Sequence, residues 1–433
     1  MKKHDIFLSV LAVTAAILIW PKQHNAPPAD LRDALASGGA YDALQDRKTA
    51  PNALPIAIPE VKIDKGAGAG TLPLNLTPQD LANLQLTPEN LAFVNKAIKG
   101  QFPGYGVHYS LNGQLTGDAK AASFKVDDGR VFKLMFGKLS AEGLFGRQVH
   151  IEAAATQADR LDFLRVLSAE VYDPAVHSPA LPPYQPVSRP VQLVSAGTDG
   201  IAMKNVRWHR DLRTAGTEFD WAAAKIRPEL LKEMYFIKKP FEPEWIAAHS
   251  MYLFKFAKGG VTDTSGREIS NLLLSIEGYL REGQEYSLEA GVKSQLDIVW
   301  LLATWEDYLG RVVKNKERMI PYRMKLKPEA MRQLLVESLR QAAVNRAGEK
   351  YHLVTNNCTN NLVILLNRVL PRENKISLWT NKGYDLKTTL PNAVPEYLTK
   401  LGYLEAPMPQ LDAASYLPGT DWPGGYPAAN KRQ

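Results

Sequence analysis

Across residues 351–370 the chain reads YHLVTNNCTNNLVILLNRVL, and its apolar positions change period partway along. Residues 351–355 alternate and turn β-branched near their end, the pattern of a short strand or an extended loop. Further on, apolar residues stand at 362, 363, 365, 366, 369 and 370. That is the i, i+3, i+4, i+7 spacing of an amphipathic helix, and Pro371 ends it. Asn356 or Asn357 is placed to cap this helix, which puts Cys358 in its first turn. Free N–H groups and the positive end of the helix dipole favour a thiolate there and can also hold an oxyanion.

The same patterning divides the rest of the chain. Thr77-Pro78 and Thr87-Pro88 each offer a capping Thr with Pro at the first helical position. Strand-like YGVHYSL then precedes an Asn112-Gly113 turn, and SFKV and VFKLMF flank Asp127-Asp128-Gly129. RQVHIEA comes next, and LDFLRVLSAEVY has the look of a helix. These predict a small α+β module over 74–172. Residues 173–190, DPAVHSPALPPYQPVSRP, form a proline-rich linker. Over 191–406 the pattern predicts a hairpin at Thr198-Asp199-Gly200 and a strand over 251–256 preceded by His249. It also predicts a helix opened by Lys327-Pro328-Glu329 and one more helix within TTLPNAVPEYLTKLGYL. Residues 407–433 read as a loose tail.

The amino terminus has a different texture. Two lysines precede an uncharged run over 6–20, and no small-x-small cleavage site comes after it. Residues 1–24 therefore predict an uncleaved signal-anchor, a transmembrane helix with everything after it exported. Residues 25–73 are rich in Pro, Ala, Gly and Asp and predict a disordered tether.

Composition narrows the chemistry. The 433 residues carry a net charge of +7, with no Lys/Arg run interleaved with aromatics. That excludes an evident nucleic-acid groove and suits an anionic surface such as phospholipid headgroups, or simply a solvated basic exterior. Cys358 is the only cysteine, so one chain forms neither a disulfide nor a multi-thiolate zinc site. No metal or cofactor is expected.

A nucleophilic cysteine needs a base within hydrogen-bond reach and a group that orients the base. His108 and His150 belong to the first module and His177 to the linker. His352 lies six residues before Cys358 and is expected to point away along its strand. His249 opens a strand well upstream. A strand-borne His facing a Cys at a helix start is the geometry of papain-like folds, and His before Cys is the order of their circularly permuted branch. The alternative is that Cys358 is a small buried hydrophobe.

Seven stretches carry a resemblance: NVRWHR (205–210), AAHSMYLFKF (247–256), LLLSIEGYLREGQEYS (272–287), WEDYL (305–309), YRMKL (322–326), YHLVTNNCTNNL (351–362) and LPNAVPEYLTKLGYL (390–404). Between about 197 and 404 the chain resembles the Lnb N-terminal periplasmic domain family. The resemblance implies an α+β, circularly permuted papain/NlpC-like thiol enzyme, in a family linked to N-acylation of bacterial lipoproteins. Carried over, Cys358 is the nucleophile, His249 the base and Glu277 the Glu of the SIE motif; either Glu277, as third catalytic residue, or Asn356 is expected to orient the imidazole. Asn356, Asn357 and Thr359 are the orienting and oxyanion residues around the cysteine.

The expected function is a membrane-anchored periplasmic acyltransferase that acts on phospholipid or lipoprotein acyl groups through a Cys358 thioester. The alternatives are a cysteine peptidase or amidase on cell-wall peptides and a non-catalytic cell-envelope binding module. The expected location is the inner membrane, with a single span and the catalytic domain in the periplasm. The chain departs from the family pattern at WEDYLGRVVKNKER, and within its 433 residues no multi-span carboxy-terminal membrane domain is expected.

Overall fold

The computed structural model describes residues 107–155, 163–208 and 220–412, apart from 242–243, 245–246, 270, 288–289, 292 and 381–382. The expected anchor, tether and first two helices lie outside the described residues, as does the chain after 412. Among the described residues the protein is mostly β, with twenty strands and five α-helices. No helix among them is long and apolar enough to cross a membrane.

The first unit is a small closed barrel. Its strands are β1 (Val107–Thr116), β2 (Ala122–Val126), β3 (Val131–Met135), β4 (Gln148–Ala155) and β5 (Phe163–Val171). They pair around a ring β1–β2–β3–β5–β4–β1, antiparallel except between β3 and β5. Closure removes the open edges a five-strand sheet would present.

Two expectations fail here. The described part of LDFLRVLSAEVY, from Phe163 on, is not a helix, because Leu164 and Val166 alternate into the barrel core and β5 completes the ring. Nor does Asn112-Gly113 turn the chain. β1 runs straight through it, and glycine is required because a Cβ at 113 would lie 2.3 Å from the Lys125 carbonyl oxygen. The described part of the expected α+β module is therefore all β.

The proline-rich stretch holds a short helix α1 (Pro174–His177) and then docks on the second unit. Tyr184 stacks on Tyr279 with centroids 3.6 Å apart, and its hydroxyl donates to Asp297 at 2.6 Å.

The second unit opens with β6 (Gln192–Gly197), β7 (Gly200–Trp208), β8 (Asp220–Ile226), β9 (Leu231–Pro240) and β10 (Ala248–Phe256). The short pair β11 (Val261–Thr262) and β12 (Glu268–Ile269) comes next, then β13 (Asn271–Tyr279) and β14 (Leu296–Thr304). After helix α2 (Trp305–Lys314) come β15 (Arg318–Met324), α3 (Pro328–Ala342) and β16 (Glu349–Tyr351). The chain ends with α4 (Cys358–Val369), the small hairpin β17 (Trp379–Thr380) and β18 (Gly383–Tyr384), α5 (Val394–Lys400), β19 (Leu404–Pro407) and β20 (Leu411–Asp412). Pro407 ends β19 and β20 pairs with β15, so the described start of the expected loose tail, residues 407–412, is held against β15.

The central sheet runs β7–β14–β13–β10–β9–β15, antiparallel except where β7 meets β14. Alternation along its strands supplies two cores. Phe236, Tyr252, Phe254, Leu272 and Leu274 join the buried residues of α3 and α4. Tyr235, Met251, Leu253 and Leu273 join Trp305, Leu309 and Val312 of α2. Sheet faces buried on both sides account for strands such as LLLSI and VWLLA, which are apolar almost without interruption.

β16 connects the two units. Its Glu349 and Lys350 pair with Tyr109 and His108 of β1, while Lys350 and Tyr351 pair with Asp297 and Leu296 of β14. Gly348 makes this approach possible: at φ +79° a Cβ would meet Leu111 Cδ2 and the Ser110 carbonyl oxygen, each at 2.5 Å.

Candidate active site

Asn357 starts α4. Its Oδ1 accepts the N–H groups of Thr359 at 2.8 Å and Asn360 at 2.9 Å, while the Asn360 side chain accepts the Asn357 N–H at 2.9 Å. This reciprocal capping box fixes the first turn. The Asn357 Nδ2 group also donates to the carbonyls of Leu353 and Thr389. Cys358 is consequently the first helical residue, 1% exposed. Leu362, Val363, Leu365 and Leu366 anchor α4 in the main core, and Tyr252 on β10 donates to the Leu362 carbonyl at 2.7 Å.

That anchoring lays the start of α4 against the start of β10, where His249 stands. His249 and the backbone N–H of Ser250 both act on the Cys358 thiol there, each favouring its ionised form. Thr359 Oγ1 lies 3.5 Å from Sγ and donates to Ser250 Oγ at 2.9 Å. Behind the imidazole, His249 Nε2 lies 2.7 Å from Ser275 Oγ, which donates to Glu277 Oε1 at 2.7 Å. His249 Nε2 and Glu277 Oε1 are themselves 3.8 Å apart. β13 supplies both residues in register, since Met251 pairs with Ser275 and the ladder carried two residues on sets His249 beside Glu277.

The hydrogen-bond directions select one tautomer. The Ser275 hydrogen goes to the Glu277 carboxylate, so His249 Nε2–H donates to Ser275 Oγ. Burial alone pushes the Cys358 thiol up. The neighbouring His249 charge and the hydrogen bonds from His249, Thr359 and the Ser250 N–H outweigh it, and the net effect lowers the thiol below its ordinary value. A buried cysteine that served only as a small hydrophobe would move the other way.

The expected residues separate on inspection. Cys358, His249 and Glu277 come together, with Thr359 beside the sulfur and Asn357 as the cap. Asn356 is committed elsewhere: Nδ2 donates to Glu349 at 3.0 Å and to the Lys350 carbonyl at 2.9 Å, and Oδ1 accepts from Asn361 at 2.8 Å. It braces the turn before the cysteine and does not orient His249. His352 does not lie along a strand. It closes that tight turn, its Nδ1 accepting from the N–H groups of Val354 and Thr355 at 3.0 and 3.1 Å. His150 is held by Asn112 and Glu152 and stacks on His177.

Sequence reasoning missed four residues. Ser275, the relay, is the first letter of the SIE motif and was legible there. Ser250 sits beside His249. The other two are Tyr351 and Tyr286, whose rings meet edge-on with centroids 6.4 Å apart and whose phenols feel the charge of Cys358. Burial and the adjacent thiolate hold Tyr351 well above the ordinary phenol range. Burial first, and then the Cys358 charge, raises Tyr286 as well. Among the described residues no group of three or more His, Cys, Asp or Glu side chains could hold a metal ion.

No curated protein and no solved structure matches the chain. A family model does match, over residues 218–391, a span that holds β8 to β18 and therefore Cys358, His249, Ser275 and Glu277. The chain thus carries an Lnb N-terminal periplasmic domain over residues 218–391.

Proposed function

We propose that this domain is an exported thiol acyltransferase, membrane-anchored on its periplasmic side, that moves an acyl group from a phospholipid or lipoprotein donor through a Cys358 thioester. One observation carries the proposal: Cys358 opens α4 against the start of β10, where His249 is tied through Ser275 to Glu277. A nucleophile, a base and an orienting carboxylate in hydrogen-bond contact make up a catalytic triad with a hydroxyl relay.

In the first step Cys358 Sγ attacks the donor carbonyl carbon as His249 takes the thiol proton. The backbone N–H of Cys358 holds the oxyanion, since the N–H groups of Thr359 and Asn360 are taken by Asn357 Oδ1. Collapse expels the donor alcohol, which takes the proton from His249, and leaves the thioester. In the second step an acceptor amine or hydroxyl attacks the thioester and passes its proton through His249 to the departing sulfur. Glu277 stabilises the imidazolium formed in both steps. The family's description as a periplasmic domain and the signal-anchor pattern of residues 1–24 support the location.

The test is mass spectrometry of the full chain after incubation with phospholipid vesicles or a diacylated lipopeptide. A fatty-acyl mass on Cys358, absent from Cys358→Ala, is expected. Cleavage of muropeptides without any acyl mass would replace acyl transfer by cell-wall amidase action. An unreactive thiol would leave a binding module.

A further inference from the structure

The outer face of the barrel carries charge of one sign where three of its strands lie side by side. On β2, β3 and β5 the positions that face the core, among them Phe124, Phe132 and Leu164, are buried. The positions between them face out. In register, Lys125 stands beside Val131 and Lys133 beside Phe163, so each cation has an apolar neighbour on the next strand. All four are exposed, Val131 by 55% and Phe163 by 39%. The half-buried pair Met135 and Arg165 continues the row. Neighbouring strands are about 4.8 Å apart, so the row is about 10 Å wide. Neither β2 nor β3 contains a carboxylate. Asp127 and Asp128 are confined to the turn between them, where Asp128 pairs with Arg130 at 2.7 Å. Glu152 and Glu170 are engaged with His150 and His177 on another side of the barrel.

We propose that this face of the barrel docks on an anionic phospholipid surface, with Lys125 and Lys133 on headgroup phosphates and Val131 and Phe163 at the boundary of the acyl chains. The proposal stands apart from the chemistry of Cys358.

Charge and composition favour lipid over other occupants. The ring β1–β2–β3–β5–β4 is closed, so these strands offer a peptide no backbone edge for strand addition, and the face recruits through side chains alone. The centre of a protein–protein interface is depleted of lysine, whereas here lysine and apolar residues alternate one for one. A headgroup layer accepts that mixture, because a lysine stem lies along apolar surface while its ammonium reaches a phosphate. Cations without intervening carboxylates complement the negative potential of such a surface. β16 pairs with β1 of the barrel and with β14 of the catalytic unit, so a docked barrel would bring both units to the bilayer.

The experiment is lysine footprinting of the full chain in detergent micelles, in nanodiscs of phosphatidylcholine and in nanodiscs that also contain phosphatidylglycerol. A water-soluble acetylating reagent is added, and the rate at each lysine is read by peptide mass spectrometry. Each lysine held at an anionic surface favours the docked state by about fivefold, so acetylation of Lys125 and Lys133 should slow by about that factor or more in the phosphatidylglycerol discs. Salt at about 1 M shortens the Debye length to about 3 Å and should restore the rates. Lys204, exposed on β7 of the other unit, should not change. Val131→Ser combined with Phe163→Ser alters only outward positions and should weaken the protection. Equal rates at Lys125 and Lys133 in the two kinds of disc overturn the proposal, whether or not the variant folds. Slow rates already present in micelles would mean that another segment of this chain covers the face. Equal slowing at Lys204 would mean general crowding at the disc, and either result overturns the proposal too. The footprint reads docking without acyl transfer. A docked chain that gains no acyl mass on Cys358 leaves this surface standing, and acyl transfer by an undocked chain does the reverse.

Discussion

His249 and Glu277 stand 3.8 Å apart on adjacent strands, with the Ser275 hydroxyl bridging them. The carboxylate therefore orients the imidazole through one intervening oxygen, and removing that oxygen separates orientation from charge. Ser275→Ala should slow Cys358 acylation by about tenfold, the loss of one hydrogen bond near a charge. Glu277→Gln, which keeps an acceptor but removes the charge, should slow it by about as much. The double variant should fall short of the product of the two, because both act through His249. Single-turnover acylation rates check this, and full multiplicativity would show that Ser275 and Glu277 act separately.

The thiol also makes folding stability depend on pH. Its folded pKa is lowered, so the native state stabilises the thiolate relative to the unfolded chain. The contribution is complete above the unfolded value and disappears as pH falls through the folded one. Melting temperatures of wild type and Cys358→Ala should diverge in favour of wild type as pH rises across that window, and converge below it. A difference that stays constant with pH would contradict the lowered thiol.

Asn357→Ala removes the cap and half of the capping box, together with donors to Leu353 and Thr389. A cap alone contributes about 1 kcal/mol, and the additional bonds should bring the loss to about 2 kcal/mol in urea unfolding. Because the first turn also sets the direction of Sγ, alkylation should slow even under conditions where the variant is fully folded.

Glu349 is 1% exposed and takes Arg346 on both oxygens, at 3.1 and 2.8 Å. Arg346→Met would strand that carboxylate and should destabilise the protein by about 3 kcal/mol. Pairing it with Glu349→Gln should recover part of the loss, because no buried charge then lacks a partner. Denaturant midpoints of the three variants measure the recovery. No recovery would mean that the Arg346 stem, packed against Trp300, carries the stability instead.

Local chemistry was legible in the sequence where one stretch determined it. The NNCT run predicted a cap, a helix and a first-turn cysteine, and the helix ends one residue before Leu370 as Pro371 requires. His249 was readable because it opens a strand upstream of the cysteine, within the stretch AAHSMYLFKF that carries the resemblance. What remained hidden depends on contacts between distant segments. LDFLRVLSAEVY has an ambiguous period, and only the open slot between β3 and β4 makes it a strand. The rings of Tyr286 and Tyr351 that meet edge-on are separated by 65 positions, 351 minus 286, and no local pattern links them. Asn356 and Asn357 are adjacent and identical in type, and sequence could not tell brace from cap.

The pairing of β1 with β16 has a consequence for how this protein could have been assembled or can be cut. Seven positions separate Tyr351 from Cys358, and the strand that ends at Tyr351 lies directly on the barrel, with Tyr109 on β1 reaching Glu349 at 3.4 Å. Ile364 of α4 also packs on the barrel core. The portion matched by the family begins at residue 218 and leaves the barrel out. Excised at that boundary, it would keep every reactive atom yet expose one side of β16 as an unpaired edge, so the minimal working piece is larger than the recognisable one.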